Sequence, residues 1–442
     1  MPPASIRHSI EPSPRRFALW NLGFRPFYLL AGLFAALSIL AWTAQFAGWL
    51  DSPVYPGDPR WHAHEMIFGY AFAVIVGFLF TAGRNWTNQP TPTGMTLAAI
   101  AALWLAARVL VLTPWHALAA AADVAFAIAA TIGMALPLLA SRNRRNYFFV
   151  PLLLGFGAVN LAFYLAMAGV IDFPVRRGLQ VGLDLILIVV TVMGGRVIPM
   201  FTDSAIPGTH AARRVWLERT VLGSTLGLLA VDLLNLPPVA VAVIAAIAGV
   251  AHAARLALWK PWATAGHPIV WILHLSYAWI AIHLVLRALA AFEAVPETLA
   301  THALTVGAIG GITLGMMTRT SRGHTGRPLL ASRIETAWYA LVHLAAAVRV
   351  FLPLAAPTLQ LPAIVASGIL WASEGKSISP ATQDPPGNVG RMNLGWIRKC
   401  AYSILCSLLA HHESQMGAIS NTIIYSSTRT TIATTSRSTP LL

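Results

Sequence analysis

The sequence predicts an all-α protein, a polytopic transmembrane helical bundle of 11 full spans with a truncated twelfth. Three observations carry this prediction. Of 442 residues, 57% are hydrophobic and only 10% are charged, with a mean hydropathy of +0.66. A water-soluble domain carries about 25% charged residues on a surface that must face water. Apolar runs long enough to cross a bilayer as helix, about 20 residues each, recur along the chain. Arg and Lys gather at alternate connections, the pattern of loops kept on the cytoplasmic side.

The runs fall at 27–48, 66–83, 95–112, 115–139, 147–170, 179–200, 219–235, 237–257, 269–290, 299–318 and 334–355. The first follows Arg15 and Arg16, as a secretory leader would. It is about twice the apolar length of a leader and more spans follow, so it reads as a membrane anchor. Spans 7 and 8 are separated only by residues 236–238 and form the least secure boundary. Arg7, Arg15, Arg16 and Arg25 precede span 1, and Arg142, Arg144 and Arg145 follow span 4. Arg213, Arg214 and Arg219 lie between spans 6 and 7, and Arg319, Arg322, Arg327 and Arg333 between spans 10 and 11. The opposite connections hold few cations, with Asp51, Asp58, Glu293 and Glu297 beside them. This alternation sets the N-terminus in the cytoplasm. The formal net charge of +14 therefore reports topology and not a nucleic-acid partner.

A twelfth run begins near Thr358 and breaks after Trp371, where Ser373, Glu374, Gly375 and Lys376 follow. The chain divides accordingly into a membrane domain, 1–371, and an atypical, mostly disordered tail, 372–442, rich in Pro, Ser and Thr. Two readings of that tail stand: a disordered cytoplasmic segment, or a stretch that is not native coding sequence. Cys400 and Cys406, the only cysteines, lie within it. That excludes a disulfide framework, a Cys-based zinc site and a CxxCH haem attachment, so any haem is held non-covalently by side-chain ligands. No Walker-type nucleotide loop occurs, which argues against an ATP-driven machine.

Histidines give the chemistry, because an ionisable group inside a span is costly and functional by default. In WHAHEM, 61–66, His62 and His64 are two residues apart. On a regular helix they diverge, but at a helix entrance both imidazoles could face one metal, with Glu65 orienting a ring. An interfacial aromatic and polar cluster is the alternative. Span 9 carries His274 and His283 on opposite faces, and His274 is the candidate. In the segment 302–329, Gly307, Gly311 and Gly315 form a bare stripe, suited to helix packing or to a flat macrocycle. His302 stands at its outer end, level with His62 and His64, and Arg319 and His324 at its cytoplasmic end. Arg108 and Asp123 read as a structural intramembrane pair. Arg196, beside Gly194 and Gly195, reads as the partner of an anionic group, a haem propionate or a lipid headgroup.

The stretches GFRPFYLLAG (23–32), WHAHEMIFGYAFAVIVGFLFTAGRNWT (61–87), GGRVIPMFT (194–202), HPIVWILHLSYAW (267–279) and HALTVGAIGGITLGMMTRTSRGHTGRP (302–328) resemble the NnrS family over residues 17 to about 371. The resemblance implies a twelve-span protein of the bacterial inner membrane, haem and copper as cofactors, nitric oxide as a ligand and a role in nitric oxide tolerance. His274, His302, His324, Arg319 and Arg196 are nominated for the haem, and His62, His64 and Glu65 for the metal, because they lie in the matching stretches. The chain departs from the family in its broken twelfth span and its tail. A secondary transporter without a redox cofactor remains the second reading, since about twelve spans with sparse charges is also a carrier's plan. The histidines favour the first. With no recognisable Tyr or Glu proton path, no reaction and no catalytic residue are assigned.

Overall fold

The computed structural model describes residues 18–50 and 58–372. The expected tail from residue 373 onward, Asp51 and the basic residues ahead of position 18 lie outside the described residues. Within them the backbone is helical and contains no strand. In chain order the helices are α1 (Phe24–Phe46), α2 (Pro59–His64), α3 (Phe72–Thr87), α4 (Gly94–Leu110), α5 (His116–Ala140), α6 (Phe149–Met167) and α7 (Val175–Ala205). There follow α8 (Val215–Leu233), α9 (Pro238–Leu258), α10 (Pro268–Ala290), α11 (Glu297–His302), α12 (Gly311–His324), α13 (Arg333–Ala355) and α14 (Gln360–Ala372). Two π-helical segments, Glu65–Ala71 and Ala303–Gly310, join α2 to α3 and α11 to α12 without a break.

Nine of the expected crossings are helices long and apolar enough to cross a membrane among the described residues. The other two full spans also form helices, but each falls short on its own. Helix α4 has 17 residues, and α8 has 19 but carries Glu218, Arg219 and Asp232. The truncated twelfth is present as α14, 13 residues long, seated so closely on α1 that a Cβ at Gly368 would lie 2.5 Å from Thr43 Oγ1. The least secure boundary resolves cleanly: α8 ends at Leu233 and Pro238 opens α9, where a missing N–H costs nothing.

Local sequence explains the ends. Asp58 caps α2 by accepting from the Arg60 N–H at 2.7 Å, with Pro59 in the first turn. Asn88 closes α3 in the left-handed region, φ 51°, a conformation Asn tolerates. A capping box of Ser332 and Glu335 opens α13. Between α1, α3 and α5 the interior is aromatic, with Phe27, Phe72, Phe80 and Phe126 fully enclosed and in ring contact.

The chain contains an internal repeat. Helices α2 and α11 start at Pro59 and Glu297, and the π segments at Glu65 and Ala303, each pair 238 residues apart. At the same offset His64 matches His302, Gly69 matches Gly307, Gly77 matches Gly315, Arg84 matches Arg322, Thr87 matches Thr325 and Pro90 matches Pro328. Asn88 and its counterpart Gly326 both take positive φ, 51° and 68°. The packing repeats as well. A Cβ at Gly77 would press on Phe27 of α1 at 2.8 Å, and one at Gly315 on Leu273 of α10 at 2.9 Å. Gly69 faces Phe34 of α1, and Gly307 faces Trp279 of α10. The glycine stripe is thus closed by α10: Trp279, Ser276 and Leu273 fill the faces of Gly307, Gly311 and Gly315. Close backbone approach is how membrane helices gain packing where lipid removes the hydrophobic drive. The bare face is a helix seat, and the macrocycle alternative is withdrawn for it.

Candidate functional site

The WHAHEM stretch is divided by its own backbone. The π segment begins at Glu65, directly after His64, and such widened turns concentrate at functional positions. His64 turns inward and is 1% exposed. Its Nδ1 lies 2.8 Å from Glu65 Oε1 and its Nε2 2.8 Å from Asn160 Oδ1. Glu65, fully enclosed, accepts from Arg108 Nη1 at 2.7 Å, while Arg108 Nη2 donates to Asp123. Tyr164 completes the group by donating to Asp123 Oδ2 at 2.8 Å. The expected Arg108–Asp123 pair is therefore real but larger, one guanidinium held between two carboxylates. Both ring nitrogens of His64 are engaged there, so neither is free for a metal.

His62 goes elsewhere. It stacks on Trp42 of α1, ring centroids 4.1 Å apart and planes 18° apart, and its buried Nδ1 has no partner. His62, His64 and Glu65 do not converge on one point. Among the described residues no three His, Cys, Asp or Glu side chains are grouped as a metal site.

His302 stands at the same end of the bundle as His62. This residue ends α11 at the start of the second π segment, and its Nδ1 donates to the Thr298 carbonyl at 2.6 Å. That bond fixes the tautomer and leaves Nε2 with its lone pair, as in metal-ligating histidines. His62, His302 and Arg349 of α13 lie within electrostatic reach of one another. Sequence reasoning missed Arg349 and Trp42. The signal for Arg349 was present, an arginine inside span 11 with no acidic residue near it in that span.

The remaining nominated residues gather at the opposite end. His274 Nε2 is 2.8 Å from Thr202 Oγ1, and its buried Nδ1 has no partner. Arg319 lies over the ring of Phe201, 3.6 Å from its centroid. These two contact consecutive residues of α7. Arg196 donates to Asn146 Oδ1 at 2.6 Å and, with Arg145 and Arg213, lines a cavity of about 460 Å³. His324 stacks on Phe24 at 5.5 Å. From His302 to His324 the continuous helix runs roughly 33 Å at 1.5 Å per residue. One cofactor cannot touch both ends, so the five residues nominated for haem belong to two separate places.

Two further buried networks link helices among α7–α10. Arg287 donates to Asp184 at 2.9 Å and pairs with Asp232. Arg255 pairs with Glu218 and donates to Tyr277 at 3.0 Å, and the Tyr277 hydroxyl lies 2.8 Å from His252 Nδ1. These resolve most intramembrane charges of α7–α10 into compensated sets, as unpaired charge in hydrocarbon would be expensive.

Fold and site together define a class: a polytopic α-helical membrane protein with buried histidines and, among the described residues, several of its internal charges held in compensated sets. Within that class the chain belongs to the NnrS family. The sequence model of that family, described as NnrS protein, matches residues 18–374. No curated protein matches the chain.

Proposed function

We propose that the chain is a haem-holding NnrS protein of the bacterial inner membrane that acts in the response to nitric oxide. Family membership supports the link to nitric oxide. The single observation supporting the cofactor is the His62–His302 pair: two imidazoles from the two repeats, each with a ring nitrogen free, at one end of the bundle. The donor set suits haem, for which imidazoles serve as axial ligands and a guanidinium as a partner for a propionate. His62 and His302 would hold the iron, the Thr298 carbonyl orienting the second ring. When bound, the haem supplies an iron centre able to bind nitric oxide. Trp42 packs the other side of His62 and limits its rotation. Copper follows from the family resemblance, and no ligand set for it is assigned. His274, with one buried ring nitrogen free, is the remaining candidate at the Arg196 end.

The finer topology belongs to the same reading. Eleven helices cross, α14 is a short twelfth, the N-terminus is cytoplasmic and the His62 end faces outward. Residues 1–371 form one membrane domain, with 372–442 as its appendage. The test is spectroscopic. Protein purified from haem-sufficient cells is expected to show a Soret band, with acid extraction releasing the haem. His302→Ala and His62→Ala each shift or remove the band. A colourless wild-type preparation overturns the reading.

A further inference from the structure

The internal repeat permits a comparison within one chain. In the first copy, the arginine at the end of α4, Arg108, is neutralised by Glu65 and Asp123. In the second copy, α13 follows the π segment as α4 does, and it carries Arg349 toward the same end. The counterpart of Glu65 is Ala303, and α14, the counterpart of α5, contains no acidic residue. The other acid of the second copy, Glu335, is taken by Arg322 at the far end of α13. Arg349 is only 6% exposed, yet among the described residues it makes no hydrogen bond or ion pair.

Its surroundings share that condition. The indole N–H groups of Trp42 and Trp61 are buried without acceptors, and His62 Nδ1 is buried without a partner. Trp42 and Trp61 pack together with Ile364 of α14, and Trp42 carries His62 on its ring. A buried guanidinium and two buried N–H donors without acceptors are each costly. All of them lack the same thing, an oxygen acceptor with negative charge.

We infer that Arg349 forms a binding site for a carboxylate-like oxyanion at the His62 end, where the indole N–H groups of Trp42 and Trp61 also lie without acceptors. One guanidinium balances one negative charge, and its planar fork matches two oxygens of a carboxylate, nitrite or nitrate. Two sources share this chemistry: a haem propionate, which rests on the proposed haem reading, and a free small oxyanion, which does not.

The test uses the full chain in detergent, prepared from haem-sufficient and from haem-limited cells. Tryptophan emission and thermal midpoint are followed while nitrite or formate replaces chloride at constant ionic strength. Haem retention is measured by dilution. A saturable anion response that weakens at least about tenfold in Arg349→Gln supports a free oxyanion. Haem retention that falls at least about tenfold in Arg349→Gln, with the anion response blocked by haem, supports a propionate. Should Arg349→Gln not fold, Arg349→Lys, which keeps the charge and loses the fork, is expected to weaken either effect about threefold or more, and Trp42→Phe likewise. Anion binding without haem in any preparation sinks the haem reading and leaves this site standing. Equal anion response and equal haem retention in wild type and the Arg349 variants, or no response to either probe in wild type, overturns the inference.

Discussion

Replacing Arg108 by Leu is the sharpest test of the packed interior. The side chain is 3% exposed and sits between Glu65 and Asp123, themselves 0% and 1% exposed. Removing the guanidinium leaves two carboxylates facing each other with only His64 and Tyr164 as neighbours. At about 4 Å and an effective dielectric constant near 20, each charge pair is worth about 4 kcal/mol. Breaking a buried pair by deleting one partner costs about 3–5 kcal/mol, because the survivor stays buried and uncompensated. Arg108→Leu is therefore expected to lose about 3–5 kcal/mol, lowering the folded-to-unfolded ratio by roughly two to four orders of magnitude. The triple variant Arg108→Leu, Glu65→Gln, Asp123→Asn removes the stranded charges and should recover most of that loss. Equilibrium unfolding in mixed micelles with increasing sodium dodecyl sulfate measures both. Stability of Arg108→Leu within about 1 kcal/mol of wild type, or a triple variant no better than the single, refutes the charge-compensation argument.

Other outcomes follow from the same structure. Gly195→Ala should uncouple α7 from α9, because the added Cβ collides with the Arg255 guanidinium and forces it off Glu218; overpacking of this kind costs about 1–3 kcal/mol, read as a lower thermal midpoint in detergent. Gly307→Leu should be worse than Gly223→Leu, since a Cβ at Gly307 meets Trp279 and one at Gly223 meets nothing within 4 Å; equal expression and equal midpoints would count against the helix-seat reading. In a background lacking Cys400 and Cys406, a cysteine at Asp172, in the turn between α6 and α7, should react with an impermeant thiol reagent in intact spheroplasts. One at Arg144, between α5 and α6, should not, and reversed labelling would invert the proposed sidedness.

Much of the architecture was legible because a membrane imposes it. Apolar length and the alternation of arginines point to spans without reference to what packs on what, and each expected span coincides, to within a few residues, with a helix or with a helix and its adjoining π segment. Legibility faded in the charges that a span carries. Helix α8, read in the sequence as the seventh span, holds acids whose partners appear only in the structure, Asp232 with Arg287 and Glu218 with Arg255. Arg108–Asp123 could be read from depth alone, whereas Glu65, assigned to a metal in the sequence, is the third member of that network. The repeat escaped notice because few identities mark it. It emerges from two π segments and from glycines that meet equivalent helices.

The sequence by itself determined that this chain lives in a bilayer, that its histidines cluster in a few stretches and that those stretches resemble the NnrS family. Only the tertiary structure decided where those histidines lie relative to one another. The π segment after His64 turns that ring into the bundle and leaves His62 on Trp42. Helix α11 meanwhile brings His302 from the other repeat, some 240 residues away, to the same end. Spacing along a chain reports which residues share a helix face. Which faces meet is set by helix–helix packing, here by glycines that admit α1 and α10 close to their partners, and that information is distributed over the whole bundle.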